Sequence, residues 1–381
     1  MLIQPTEQQQ TERPYQTQRL WHDEKRFTPS IGCTNCRDKA TCGGLNVGSA
    51  LFDCLHFCCN DPSDCDTVCR NKPEEFVQRV REIQGFAFDN VPRAAALAEP
   101  QLPMVVPVIF HGNKRTPAFA GEGAVCLPLY KIIEARTGIS RYTSARALTD
   151  RFGLTPGTKV MLTGTSTDPF LERWWSLGSR RLEVIRSLRA LDIILITTPN
   201  YSLFTDQPRW DDLHSMKRIA LVHQEFLSEG MPAALHVNAR TERDWERWRD
   251  FITGRPEITH IAFEFATGAG WAGRLEWHAA QLVQLAESVR RPLHLVVRGG
   301  TPILLRLVRM FSTVTCLETS TFLKTMRRKA AVTAANGAVR WRHAPTEKTE
   351  LLDKLLADNW PVVAGYYAQI FSGKSLPRKA A

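Results

Sequence analysis

The chain has 381 residues, 43% of them hydrophobic, and 49 Lys and Arg against 39 Asp and Glu, a net charge of +10. This composition supports a large buried core and excludes a disordered chain, and the length fits one large domain with an appendage or two ordinary domains. No apolar run approaches the ~18 residues of a membrane span. The basic excess favours an anionic partner, a nucleic acid or nucleotide, although net charge governs association rather than fold.

In chain order, residues 1–30 are polar and Gln-rich, lack the apolar core of a secretory signal, and read as a disordered tail on a cytoplasmic protein. Residues 31–102 hold a Cys-rich module and a connector. The module contains eight of the ten cysteines: CTNC (Cys33, Cys36), Cys42, Cys54, the adjacent pair Cys58 and Cys59, and CDTVC (Cys65, Cys69). In a reducing compartment such spacing favours metal ligation over disulfides, because a CxxC loop brings two thiolates to one ion. Eight thiolates complete two four-ligand sites, and iron–sulfur and structural zinc both satisfy the arithmetic. His56 is a spare ligand. The CxxxCxxC pattern of most radical S-adenosylmethionine enzymes is absent. KPEEFVQRVREIQGF follows as a connector helix, with Pro73, Glu74 and Glu75 at its start and Gly85 near its end.

From 103 to 345, short β-rich runs alternate with helical patterns: 103–110, 158–164, 192–197, 232–237, 259–265, 292–298 and 312–317, with AVCLPL (124–129) as a possible eighth strand. Amphipathic helices precede 192, 232, 258 and 292, and crossovers of that length imply parallel strands. The expected fold class is α/β, a (β/α)8-like TIM barrel with an N-terminal Cys-rich metal-binding module. The stretch 110–124 has no room for a crossover helix, so the first unit is irregular or the barrel incomplete. A doubly wound open parallel sheet is the alternative. Residues 346–381 read as a helical extension. Cys126 and Cys316 fall in apolar strand patterns and read as buried core thiols.

A barrel places its active site at the C-terminal ends of its strands. That rim would carry His111 and Asn113, then Thr163, Thr165 and Asp168, Asn200 and Tyr201, His236 and Asn238, Glu264, Arg298 and Glu318. Glu264, between Phe263 and Phe265, is set for a raised pKa and acid or base work, and His236 is a second candidate; with Asp168 and Asp206 they form the candidate catalytic set. For each alone, a salt-bridged or satisfied core residue is the plain alternative.

His111, Asn200, Asn238, Arg298, Gly299, Gly300, Ser320, Arg327 and Arg328 are candidates for substrate or phosphate, since RGGTP and ETSTF deliver small residues to helix starts after the last two strands. Lys324, Lys329, Arg340, Arg342 and His343 add positive charge nearby. Arg173, Arg180, Arg181, Arg186 and Arg189, interleaved with Trp174 and Trp175, form a pattern that binds single strands by stacking, unless the Trp pair packs inward.

At 197–248 the sequence resembles an uncharacterised domain family of bacteria, plasmids and phages. Pro199, Asn200, Tyr201, Ser202, Leu203, Phe204, Asp206 and Pro208 match its S/T-P-[DN]-[FY]-S-L-[FY]-x-D-x-P stretch, and a helix and strand follow. The resemblance implies a barrel-like domain carried by mobile elements and brings no established activity. Within the loop, Asp206 and Arg209 are either functional or a structural ion pair.

Three functions fit these features. The first is a metal-containing barrel enzyme acting on a nucleic acid or nucleotide by base modification or exchange. The others are a non-catalytic nucleic-acid-binding protein of a mobile element with a structural metal module, and an iron–sulfur redox enzyme. Base-exchanging transglycosylases share a barrel, a cysteine-bound metal and paired aspartates, but the likeness is one of fold alone.

Overall fold

Eight apolar runs that must bury both faces need two neighbours each and a layer of helices outside, and a barrel supplies both. The computed structural model describes residues 28–36, 39, 46–47, 53–59, 65, 67–116, 118–134, 136–204, 207–270, 274–347 and 349–373. The strands are β1 (Val105–Pro107), β2 (Ala124–Pro128), β3 (Lys159–Thr163), β4 (Ile193–Thr197), β5 (Ala233–His236), β6 (His260–Glu264), β7 (His294–Arg298) and β8 (Thr313–Glu318). They form one sheet in the order β1-β8-β7-β6-β5-β4-β3-β2, and every hydrogen-bonded pair is parallel. A single parallel bridge, Val108 to Cys126, joins β1 to β2, with the Ile109 N–H donating to the Cys126 carbonyl at 2.9 Å. The result is a nearly closed (β/α)8 barrel, in which AVCLPL supplies β2 and brings the strand number to eight. Strands adjacent in sequence are neighbours throughout, which sets aside the doubly wound sheet.

The pleat divides the strands into two faces. Val106, Cys126, Met161, Leu195, Ala234, Ala262, Val296 and Leu317 fill the barrel interior, small residues opposite larger ones. The outward face packs under the helices in one continuous core. Cys126 lies in the first cluster and Cys316 in the second, both fully buried.

The helices include α1 (Pro73–Ile83), α2 (Asp168–Ser176), α3 (Arg180–Arg189), α4 (Arg209–Ser228), α5 (Glu242–Thr253), α6 (Arg274–Val289), α7 (Ser320–Met326) and α8 (Asp353–Phe371). The helical run before β4 divides into α2 and α3 near Gly178, whose φ is +57°. Helix α1 starts with Pro73 and ends at Gln84 in the left-handed region. It packs Phe76 edge-on to Trp210 of α4 and accepts, on Glu82, hydrogen bonds from His214 at 2.9 Å and from Trp175. The chain beyond α1 takes the Lys217 ammonium on Ala87 and Asn90, and the Arg255 guanidinium on Val91 and Pro92. The connector therefore covers α4 from outside, which explains why that helix buries His214 and Lys217 as well as apolar residues, while Arg218 is buried against Tyr201 and Glu172.

Between β1 and β2 the described residues form no helix. Helix α8 serves that flank instead: Asp353 accepts from the N–H and hydroxyl of Thr116, pairs with Arg115 at 3.5 Å, and Trp360 meets Phe119 edge-on. A hairpin of β9 (Lys329–Thr333) and β10 (Val339–His343) separates α7 from α8, and the buried Asn359 amide bonds both Thr325 and the Lys329 carbonyl. Residues 1–27 of the expected tail lie outside the described residues, as do Cys42 and Asp206. Among the described residues no helix is long and apolar enough to cross a membrane.

Candidate active site at the barrel mouth

Two residues beyond an interior position, a strand side chain points inward again, one layer closer to the mouth. On successive strands this parity turns Ala234 into His236, Ala262 into Glu264 and Val296 into Arg298; Met161 leads likewise to Thr163. His236, Glu264, Arg298 and Thr163 line a cavity of about 770 Å³ at the C-terminal end of the barrel, where Asp168 and Asn200 join them. The volume lies within the range of small-molecule sites.

Glu264 is 6% exposed, and its Oε2 lies 2.6 Å from Arg298 Nε while Oε1 accepts from the Ala266 N–H at 2.8 Å. Burial pushes this carboxyl above the usual carboxylate range, and Arg298 and the amide oppose the rise. His236 is 3% exposed, and neither ring nitrogen has a hydrogen-bond partner among the described residues. Burial, reinforced by the charge of Arg298, lowers its pKa to about 3, so its imidazole is neutral near pH 7. A buried ring with both nitrogens unsatisfied faces a site for a polar ligand or water. Asn200 Oδ1 is a second buried unpartnered acceptor on the same wall.

Asp168, in the first turn of α2, accepts from the Ser202 hydroxyl at 2.7 Å. Asn238 lines the cavity and donates to the Tyr201 carbonyl at 2.8 Å. The Tyr201 ring itself does not face the mouth: it is fully buried beneath the Arg218 guanidinium, 4.0 Å from its centroid.

A buried network holds the intervening loop. Arg209 pairs with Asp212 and Asp244, Arg240 with Asp212 and the Phe204 carbonyl, and Asp212 accepts from the Phe204 N–H at 2.8 Å. Arg209 therefore serves a structural ion pair.

The other rim candidates are placed elsewhere. His111 and Asn113 line a second, smaller cavity. Gly299 and Gly300 have φ of +79° and +73°, and a Cβ on Gly299 would stand 2.8 Å from the Ala266 nitrogen. Their role is to seat the β7 exit against the β6 exit, where Glu264 meets Arg298. Glu318 accepts from the Ser320 and Thr321 N–H groups at 2.6 and 2.9 Å, so the helix start expected to cradle phosphate carries the protein's own carboxylate. Arg327 is exposed, and Arg328 donates to Thr346; neither lines the mouth. In the basic-aromatic stretch the Trp pair packs inward: Trp174, Trp175 and Arg181 are buried, Arg181 making a two-point contact with Glu225, while Arg173, Arg180, Arg186 and Arg189 are exposed and Arg186 pairs with Glu229. Among the mouth residues not singled out in the sequence are the basic groups Arg240, Arg274 and His278. The last two sit four apart on α6, a spacing that puts them on one face, and a basic pair on an otherwise apolar face is the available signal.

In the cysteine module, Cys33, Cys54, Cys58 and Cys69 are buried, Cys36 and Cys65 half-buried and Cys59 exposed. Among the described residues no group of three or more His, Cys, Asp or Glu side chains is gathered as a metal site. The Cys33 and Cys54 segments nevertheless meet in one knot: both backbone N–H groups bond to Ser30, and a Cβ on Gly32 would stand 2.3 Å from Asp53 Oδ1. The Cys58 thiol donates to the Gln207 carbonyl at 3.2 Å, which ties the module to the mouth loop. No family model matches the chain, and no curated protein matches it.

Proposed function

We propose that this barrel is an enzyme that carries out acid–base chemistry on a nucleotide, free or within a nucleic acid, in the mouth cavity. The observation that carries the reading is His236, buried with two unsatisfied nitrogens beside the Glu264–Arg298 pair on adjoining strands. A neutral imidazole offers a bound substrate one donor and one acceptor nitrogen, and a carboxyl raised by burial gives or receives the proton, with Arg298 stabilising its ionised form. Asp168 and Asp206 complete the candidate catalytic set. Tyr130 and Phe204 offer flat faces to a base, while Arg240, Arg274 and Arg298 favour a ligand with negative charge.

The cysteine module is read as the holder of a thiolate-bound iron–sulfur cluster or zinc, with Cys33, Cys36, Cys42, Cys54, Cys58, Cys59, Cys65 and Cys69 as the donor set. Support comes from the spacing, from the meeting of the Cys33 and Cys54 segments at Ser30, and from the Cys58 contact to Gln207. Bound zinc would brace the module, and a cluster would add one-electron chemistry.

The test combines anaerobic purification with metal analysis and a turnover screen against nucleotides and oligonucleotides. Glu264→Gln and His236→Ala are expected to lower turnover by about a hundredfold or more while substrate affinity changes little. Unchanged turnover in both variants would overturn the catalytic assignment. Absorbance near ~400 nm would identify the cluster, a colourless protein with stoichiometric zinc would identify zinc, and neither metal would overturn the module's assignment.

A further inference from the structure

Beside the mouth lies a second cavity of about 400 Å³ that shares Phe110 and Tyr130 with it, so one wall is common to both. Its remaining lining includes His111, Lys131, Arg141 and Arg151, and none of its lining residues is an Asp or Glu. The backbone sets these groups in place. A Cβ on Gly112 would stand 2.0 Å from the Arg151 carbonyl oxygen, so the loop after β1 lies directly on the end of the 145–151 helix. Arg141 is anchored through Nε to the Ile133 carbonyl at 3.1 Å, which leaves the rest of its fork for a ligand. Lys131 closes the short 129–132 helix, its ammonium 5.4 Å from the Tyr130 ring centre. Among the described residues neither Lys131 nor Arg151 is engaged in a salt bridge. Three cations around a concave site whose lining holds no carboxylate attract an anion, with Glu134 near Arg141 but outside the lining, and an arginine fork suits phosphate oxygens.

Building on the assignment of the mouth to a nucleotide, we infer that this annex binds a phosphate group of the substrate while the base and sugar occupy the mouth. The shared Phe110–Tyr130 wall is where the two parts of such a ligand join. The phosphate belongs either to a mononucleotide or to a strand, and the experiment separates the two.

The full chain is titrated by calorimetry with the common nucleosides, their 5′-monophosphates, inorganic pyrophosphate and a short single-stranded oligonucleotide. The proteins are wild type, Lys131→Gln/Arg151→Gln, Arg327→Gln and Glu264→Gln. Phosphorylated probes are expected to bind wild type about tenfold or more tightly than nucleosides, the order of one charge-assisted contact. The preference is expected to vanish in Lys131→Gln/Arg151→Gln and to survive in Arg327→Gln, whose charge lies outside the annex. Loss of the preference for monophosphates and pyrophosphate identifies a free nucleotide, and loss for the oligonucleotide alone identifies a strand. The replaced side chains are exposed, and a thermal unfolding midpoint equal to that of wild type confirms that the double variant is folded. A wild type that does not discriminate, or a double variant that discriminates as wild type does, overturns the annex. Glu264→Gln reports separately on the mouth: retained phosphate preference with retained turnover would refute its catalytic role and leave the annex standing.

Discussion

Glu264 and Arg298 face each other across β6 and β7, in register, because each is the second inward residue after a small or branched one in the barrel interior. Their geometry is costly to interrupt. With Arg298 replaced by Ala, the carboxylate would keep the Ala266 amide and lose the cation 2.6 Å away. Removing one partner of a buried pair typically destabilises by about 3–5 kcal/mol, whereas replacing both by apolar or neutral groups is far milder. Arg298→Ala is therefore expected to shift the urea midpoint strongly, and Glu264→Gln/Arg298→Met to recover much of the loss. The pH dependence has a definite sign. Burial already raises the Glu264 pKa, and removing Arg298 raises it further, so the folded variant holds its proton at pH values where the unfolded chain releases it. The deficit of Arg298→Ala should accordingly be smaller near pH ~4 than near pH 7. A deficit independent of pH would show that the pairing charge is not the cause.

At the scale of elements, the loop between β4 and α4 is held by one carboxylate more than by any other group. Asp212 receives the Phe204 N–H, Arg209 and Arg240 at once, and it is 1% exposed. Asp212→Ala would leave two buried guanidinium groups short of a counter-charge and is expected to cost about 3–5 kcal/mol. It should also open the 200–209 loop to limited proteolysis; an unchanged cleavage pattern would refute the clamp. Barrel strands were legible because burial on both faces writes them as apolar runs, and the short first crossover was legible from spacing alone. Hairpin β9–β10 was not: its strands are half-exposed, and the sequence shows there only positive charge at Lys329, Arg340, Arg342 and His343. The site divides along the same line. His236, Glu264 and Arg298 follow from strand parity. Glu318 has the same appearance in the sequence, yet its carboxylate is consumed by the start of α7. Arg240, Arg274 and His278 arrive from a loop and a helix whose facing only tertiary packing decides.

For the whole molecule the response to acid follows from how many histidines are buried without charge. Burial lowers His214 and His223 from 6.5 to about 4, and His236 and His260 to about 3, with His278 also well below its ordinary value. Because the folded pKa lies beneath the unfolded one, the unfolded chain takes the protons first. Each imidazole thus contributes stability that is complete above 6.5 and is lost as pH falls toward its folded value, at most about 1.4 kcal/mol per pH unit. Three carboxyls oppose them: Asp211, raised to about 6, with Asp212 and Glu264 also raised, gain relative stability as they are protonated in the fold. With the half-buried His111 also lowered by burial, six imidazoles against three carboxyls give a net loss between pH 6.5 and about 4. Below that the opposition ends, since the unfolded chain's carboxyls are protonated too, while His236 and His260 continue to cost stability. Glu82, lowered to about 2 chiefly by the hydrogen bond from His214, joins the loss there and releases the connector from α4. Urea unfolding measured from pH 8 to pH 3 should therefore show a gentle decline followed by a steep one that begins near pH 4. His223→Gln, which can keep a hydrogen bond to the Ala233 carbonyl, should make the upper part shallower. Stability that rises as the pH falls from 7 to 5 would mean that the imidazoles are not buried in their neutral form.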